Sequence, residues 1–357
     1  MTGPISGATV TAPDEETTAL LAATTERILA DLCTPALLRA AEGAQGETAV
    51  GGLWRALETA GLSDALRADE GGDGALGWPQ VRPVLEACGR WGVPVPLAES
   101  LAAQALARQA GAALAAGPAS LAVARLDGGR VIAEPVAYPR LVERVIVSLP
   151  DAGGRAHRLW SFEASRASVG GAVGIADARA AMSWSLAEGA ELGGLPAGVT
   201  ALLTGAAVRS AQIAGACAQV LEMAARYASD RVQFGRPIGK FQAIQQQLSV
   251  AGEWTAMASM ASQLALVGPG LALDRERVAS AKQVAGTAAQ LCAEIAHAVH
   301  GAIGVTAEYD LQLFTRRLWA WAADFGSSLY WARQLGTELV EHAPRYSWDT
   351  VVRASSV

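Results

Sequence analysis

From Glu15 to about Ala116, apolar residues recur three and four positions apart, as in the stretch from Thr17 to Leu32, which predicts amphipathic helices. Clusters at Gly71-Gly72-Asp73-Gly74 and Val93-Pro94-Val95-Pro96 punctuate the run, so it divides into four or five short helices. Between about Ser120 and Leu203 the pattern changes to short β-branched runs separated by Gly, Asp and Pro: Leu121 to Arg125, Arg130 to Ala133 and Leu141 to Leu149. That predicts a small all-β unit. Its glycines, Gly170, Gly171 and Gly174 among them, do not form the G-x-G-x-x-G turn of a dinucleotide-binding fold. Long helical periodicity then returns in four segments, roughly Ala206 to Ser229, Phe241 to Leu266, Arg275 to Gly301 and Thr306 to Glu341, the pattern of a four-helix bundle. The expected fold is α+β and mainly α: an N-terminal helical domain over residues 1–117, a small middle β-domain over 118–203 and a C-terminal four-helix bundle over 204–357.

Composition narrows the function classes. The chain has 357 residues, 51% of them hydrophobic, enough for a large core. A net charge of −6 argues against nucleic acid or anionic lipid as a partner. The apolar stretch from Leu195 to Ala225 is interrupted by Arg209, Gln212, Gln219 and Glu222, so it reads as a helix buried in protein, with no membrane insertion. Cys33, Cys88, Cys217 and Cys292 are scattered without a C-x-x-C pair, as expected of reduced core thiols in a cytoplasmic protein. No export signal is visible between Met1 and Glu16. His297 and His300 lie three apart on a helical segment, but no carboxylate or cysteine completes a metal set, and their reading is structural.

The segment from Tyr227 to Gln242 carries the strongest motif. Tyr227, Ala228, Arg231, Gln233, Phe234, Gly235, Pro237, Ile238, Phe241 and Gln242 match, at fixed spacing, the loop between the first two bundle helices of the acyl-CoA dehydrogenases. The run from His300 to Phe314 with Arg316 and Arg317 resembles that family's approach to its last long helix, and the domain order agrees. The resemblance implies FAD as cofactor and α,β-dehydrogenation of an acyl-CoA thioester. It also implies that this loop holds the adenosine half of an FAD lying mainly in a neighbouring subunit, with Arg231, Gln233, Phe234, Ile238 and Phe241 as cofactor-binding residues. The chemistry suits the role: a guanidinium fork matches pyrophosphate oxygens, and Phe234 offers a face to adenine or ribose. The alternative is that Arg231 caps a helix C-terminus and Phe234 is core.

Departures from the family are as informative. Its catalytic base is a glutamate at one of two positions, and here those positions carry Phe325 and Gly205, so no catalytic residue is assigned. Asp324 stands one residue away, either as an unusual base or as a solvated or helix-pairing carboxylate. The family's T-E-P-x-A-G-S-D stretch has no counterpart between Ser120 and Leu203, and its Gln and paired Gly near the pyrophosphate appear as Ala298 and Gly301-Ala302. By resemblance to bacterial α2β2 enzymes, the chain reads as the base-lacking subunit. A homologous partner then supplies the glutamate, electron-transfer flavoprotein is the acceptor, and bulky acyl groups such as sterol side chains are expected. A self-sufficient homotetramer with an unusual base and a non-catalytic scaffold remain as alternatives.

Overall fold

The computed structural model describes residues 12–43, 46–67, 76–151, 153–154, 156–173, 179–341 and 352. Five helices come first: α1 (Ala12–Leu32), α2 (Pro35–Ala41), α3 (Gly46–Thr59), α4 (Trp78–Arg90) and α5 (Leu97–Gln109). Local chemistry sets their ends. Thr34 caps α2, its hydroxyl accepting from the Leu37 N–H at 3.2 Å, with Pro35 in the first turn where no N–H is needed. The Pro94/Pro96 cluster separates α4 from α5. The glycine cluster at 71–74, Gly174 and the N-terminal segment before residue 12 lie outside the described residues.

Seven strands follow: β1 (Ala119–Asp127), β2 (Arg130–Val136), β3 (Arg144–Pro150), β4 (His157–Glu163), β5 (Ser168–Val173), β6 (Arg179–Ser185) and β7 (Ala190–Gly194). They form one sheet in the order β5-β6-β2-β1-β3-β4-β7, antiparallel except for the parallel β1/β3 pair. Alternate residues such as Val131, Ala133, Val145, Val147, Phe162, Met182 and Trp184 build a core of the sheet's own.

The bundle comprises α6 (Ala201–Asp230), a short hairpin of β8 (Val232–Gln233) and β9 (Arg236–Pro237), then α7 (Gln242–Ala265), α8 (Arg275–His300), α9 (Leu311–Ala323) and α10 (Ser328–Glu341). Helix α6 is the axis, buried at every residue from Leu203 to Cys217 and Ala-rich, which lets its neighbours approach closely. Its start is fixed by Thr200, whose hydroxyl accepts from the Leu203 N–H at 3.1 Å, and by Ser148 of β3, which accepts from the Ala201 N–H at 2.9 Å. The first three bundle helices fall where the periodicity predicts. The fourth does not run unbroken from Thr306 to Glu341: it splits into α9 and α10 at Asp324–Ser327, where Phe325 (φ 52°) and Gly326 (φ 92°) leave the helical region. Mainly helical with one small sheet between two helical parts, the fold is the one expected from the sequence. Among the described residues, no helix is long and apolar enough to cross a membrane.

Candidate functional site

Two places concentrate the residues singled out by sequence. The first is the end of the bundle where α6 meets the hairpin. The chain leaves α6 at Arg231, whose backbone N–H donates to the Tyr227 carbonyl at 2.9 Å, and the Ile238 N–H returns to the Arg231 carbonyl at 2.8 Å. Phe234 and Gly235, with φ of 51° and 79°, form a two-residue hairpin turn of the kind whose central residues both need positive φ. For a phenylalanine that backbone is strained, by about 1–3 kcal/mol. The result is a phenyl ring thrust outward: Phe234 is 92% exposed, with only an edge contact to Phe241 at 6.1 Å. Phe234 is therefore not core.

Beneath the hairpin, Tyr227 stacks on His300 at 4.4 Å, and His300 Nε2 bonds the Tyr309 hydroxyl at 3.1 Å, tying the ends of α6 and α8 together. His297 pairs with the Thr315 hydroxyl at 2.9 Å, and burial lowers the pKa of both imidazoles. Both histidines are thus packing groups, and among the described residues no cluster of metal-ligating side chains occurs. Arg231 and Gln233 are exposed beside Phe234, and Arg236 lies over the Phe241 ring at 4.3 Å. Ile238 differs from expectation: it is buried in the main core, because its side chain anchors the turn to the bundle rather than facing outward with Arg231. The hairpin thus presents unpaired donors and an aromatic face, a donor set that fits the phosphates and adenine of FAD.

The second place is the break between α9 and α10. Gly205 and Phe325, one hundred and twenty residues apart, are in contact: a Cβ built on Gly205 would lie 2.2 Å from Phe325 Cδ1. The ring of one fills the space a side chain on the other would need. Of the readings open for Asp324, a solvated carboxylate is excluded, and a helix-pairing one agrees with its bond to Arg209 of α6. Asp324 caps the end of α9, is 5% exposed, and accepts from both Arg179 guanidinium nitrogens at 2.8 Å and from Arg209 Nε at 3.1 Å. Three hydrogen bonds from two cations hold it inside the protein.

An ionic chain surrounds this break. Arg209 (2% exposed) bridges Asp324 to Glu99 of α5, 2.7 Å away, and donates to Gln212 at 2.6 Å. Lys282 of α8 is fully buried, its ammonium donating at 2.9 Å to the carbonyls of Ala322 and Gly326 on either side of the break. Burial pushes its pKa down to about 7; Asp324 opposes this and Arg209 adds to it. The signal that could have revealed the cluster is a lone cation within an apolar helix, since a buried charge requires a partner.

A family model described as "Acyl-CoA dehydrogenase, C-terminal domain" matches residues 192–328. The acyl-CoA dehydrogenase IpdE2 of Mycolicibacterium smegmatis is 32% identical over 137 residues, 38% of this chain and 42% of that protein. FadE34 of Mycobacterium tuberculosis is 34% identical over 134 residues, 36% of this chain and 19% of that protein. The matched stretch thus spans less than half the length of these curated relatives. Among solved structures, the ChsE4-ChsE5 complex from Mycobacterium tuberculosis superposes with a TM-score of 0.73 at 22% identity, covering 93% of this chain and 98% of that one. A structure described as the Tcur3481-Tcur3483 steroid ACAD variant gives 0.75 at 24%, covering 92% and 99%. Butyryl-CoA dehydrogenase from Megasphaera elsdenii gives 0.69 at 17%, covering 95% and 100%. Residues 192–328 thus match the C-terminal domain of the acyl-CoA dehydrogenases, and the chain shares the fold of these solved structures along almost its whole length.

Proposed function

We propose that the chain is a subunit of an FAD-dependent acyl-CoA dehydrogenase in which a homologous partner supplies the catalytic glutamate. One observation carries the reading: both positions at which the family places its base are filled by a single contact, the Phe325 ring on Gly205, and the neighbouring carboxylate is held by Arg179 and Arg209. Proton abstraction needs an acceptor within hydrogen-bond reach of the acyl α carbon, and neither position offers one.

The hairpin supports retention of a cofactor role. Arg231 would bind pyrophosphate oxygens, and Phe234 would stack on the adenosine half of an FAD shared with the partner. Gln233 adds a polar contact, and Phe241 with Ile238 supports the turn. When bound, FAD would take the hydride from the acyl β carbon, with electron-transfer flavoprotein as the proposed acceptor. This chain's residues orient the cofactor and leave proton transfer to the partner. A bulky acyl group is the proposed substrate class, supported by the likeness to a protein described as a steroid enzyme.

Co-expression tests the reading. The chain produced with a homologous glutamate-bearing subunit is expected to be yellow and to reduce a dye on addition of acyl-CoA, whereas the chain alone is expected to do neither. Yellow, active protein from the chain alone refutes the partner requirement. Unchanged FAD content in an Arg231→Ala assembly refutes the assignment of the hairpin.

A further inference from the structure

We propose that Phe325 is a plug: its ring, seated on Gly205, closes this chain's own acyl site, and Asp324 and Lys282 are positioning residues that keep it there. This deepens the function proposed above and rests on it for the identity of the pocket.

The placement of Phe325 is fixed from several sides at once. Its backbone sits at φ 52°, a conformation that glycine adopts freely and phenylalanine does not. On one side, the Asp324 carboxylate is held by Arg179 of β6 and Arg209 of α6. On the other, the Gly326 carbonyl accepts from Lys282 of α8, which also holds the Ala322 carbonyl. The Phe325 carbonyl itself accepts from the Trp331 indole N–H at 2.9 Å. The sheet, the axial helix and α8 therefore all fasten the segment that carries the ring.

A helix break alone does not require this arrangement. Glycine or asparagine at position 325 would turn the chain with less strain, so the aromatic side chain is there for the space it fills. That space is not deep core, since Phe325 is only partly buried while Trp321 one turn earlier is fully buried. The ring lies against the missing side chain of Gly205, with the Arg209 guanidinium 5.9 Å from its centroid. A half-buried ring, strained in backbone and tethered by buried charges, at the junction where the family places its base, has the properties of a stopper.

The test counts acyl-CoA binding sites in the assembly with the glutamate-bearing partner. The probe is radiolabelled 3-thiaoctanoyl-CoA, a thioester that binds without being dehydrogenated, and the readout is moles bound per pair of chains in equilibrium dialysis. The native assembly is expected to bind one per pair. Phe325→Gly, which suits the backbone, is expected to double that figure, with Phe325→Ala as a second route to the open pocket. Phe325→Leu, which keeps the bulk, is expected to stay at one. Lys282→Met and Asp324→Asn are expected to raise the ratio above one with the ring still present, which loss of stability alone would not do. A native ratio of two, or a ratio of one in both the Gly and Ala variants, overturns the proposal. FAD per pair, read from absorbance in the same samples, reports separately on the function proposed above.

Discussion

The contact between Gly205 and Phe325 can be tested through a substitution that helix propensity alone would call stabilising. Replacing a helix-interior glycine by alanine normally gains about 1 kcal/mol. In α6 the new Cβ would lie 2.2 Å, 2.4 Å and 2.5 Å from Cδ1, Cε1 and Cγ of Phe325. Carbon atoms rest at roughly 3.5–4 Å, so the ring would have to retreat by about 1 Å or more. It cannot do so freely, because Asp324, the Phe325 carbonyl and the Gly326 carbonyl are each tied to buried side chains. Overpacking of this kind costs about 1–3 kcal/mol, which outweighs the propensity gain at most of that range. Gly205→Ala is therefore expected to lower stability by up to about 2 kcal/mol, read as the midpoint of urea unfolding. In a Phe325→Gly background the same substitution has room, and the propensity gain should reappear. The double-mutant cycle should then show a coupling of about 1–3 kcal/mol. Gly205→Ala more stable than the parent, or effects that simply add, would refute the contact.

Three further outcomes follow from the buried charges and the hairpin. Lys282, with a folded pKa of about 7 against 10.5 when exposed, binds less proton folded than unfolded between those values. Stability should therefore rise with pH by up to about 1.4 kcal/mol per unit above pH 7, and Lys282→Met should remove the slope. The window to read is pH 7 to 9, because Cys33, pushed up to about 12 by burial from the ordinary 9.0, acts in the opposite sense once unfolded thiols ionise. Asp324→Asn leaves Arg179 and Arg209 facing a neutral amide and is expected to cost about 3–5 kcal/mol, measured by the same urea midpoint; a loss below about 1 kcal/mol would contradict the burial described. Phe234→Gly relieves the positive φ of an exposed residue, so the variant is expected to fold at least as stably as the parent while its assembly retains less FAD after gel filtration.

Where the fold was legible, the reason is periodicity. The helices of the N-terminal part, the short strands and the first three bundle helices each bury one face or all faces against a single neighbour layer, and such faces repeat at fixed spacing. The last segment reads as continuous because its apolar spacing carries on through Ala322, Phe325 and Leu329, and one glycine within it is tolerable in a helix. What breaks it lies elsewhere: Lys282 on α8 and Arg179 on β6 hold the carbonyls and carboxylate that a continuous helix would place differently. The motif from Tyr227 to Gln242 was legible as a turn, but its hairpin form was not, since Phe234 is an unfavourable residue for a position with positive φ.

On the function proposed above, the two base positions that stand empty look, along the sequence, like two independent losses. In three dimensions they are one. A ring at position 325 in this backbone can be seated only if position 205 has no side chain, and a carboxylate at 205 would occupy the volume the ring now takes. The surrounding ionic chain follows the same logic: Glu99, Arg179, Arg209, Lys282 and Asp324 come from five different elements, so no one element shows the cluster, and only the fold brings opposite signs within bonding distance. Arg209 inside an otherwise uncharged stretch of α6, and Lys282 between Ala281 and Ala285, are the two positions at which burial could have been read directly, because a cation there must find an anion or carbonyls to stay. Restoring a carboxylate at Phe325 would therefore not by itself rebuild a base: the new group would face Arg209 across Gly205 and join the ionic chain unless that chain were altered as well.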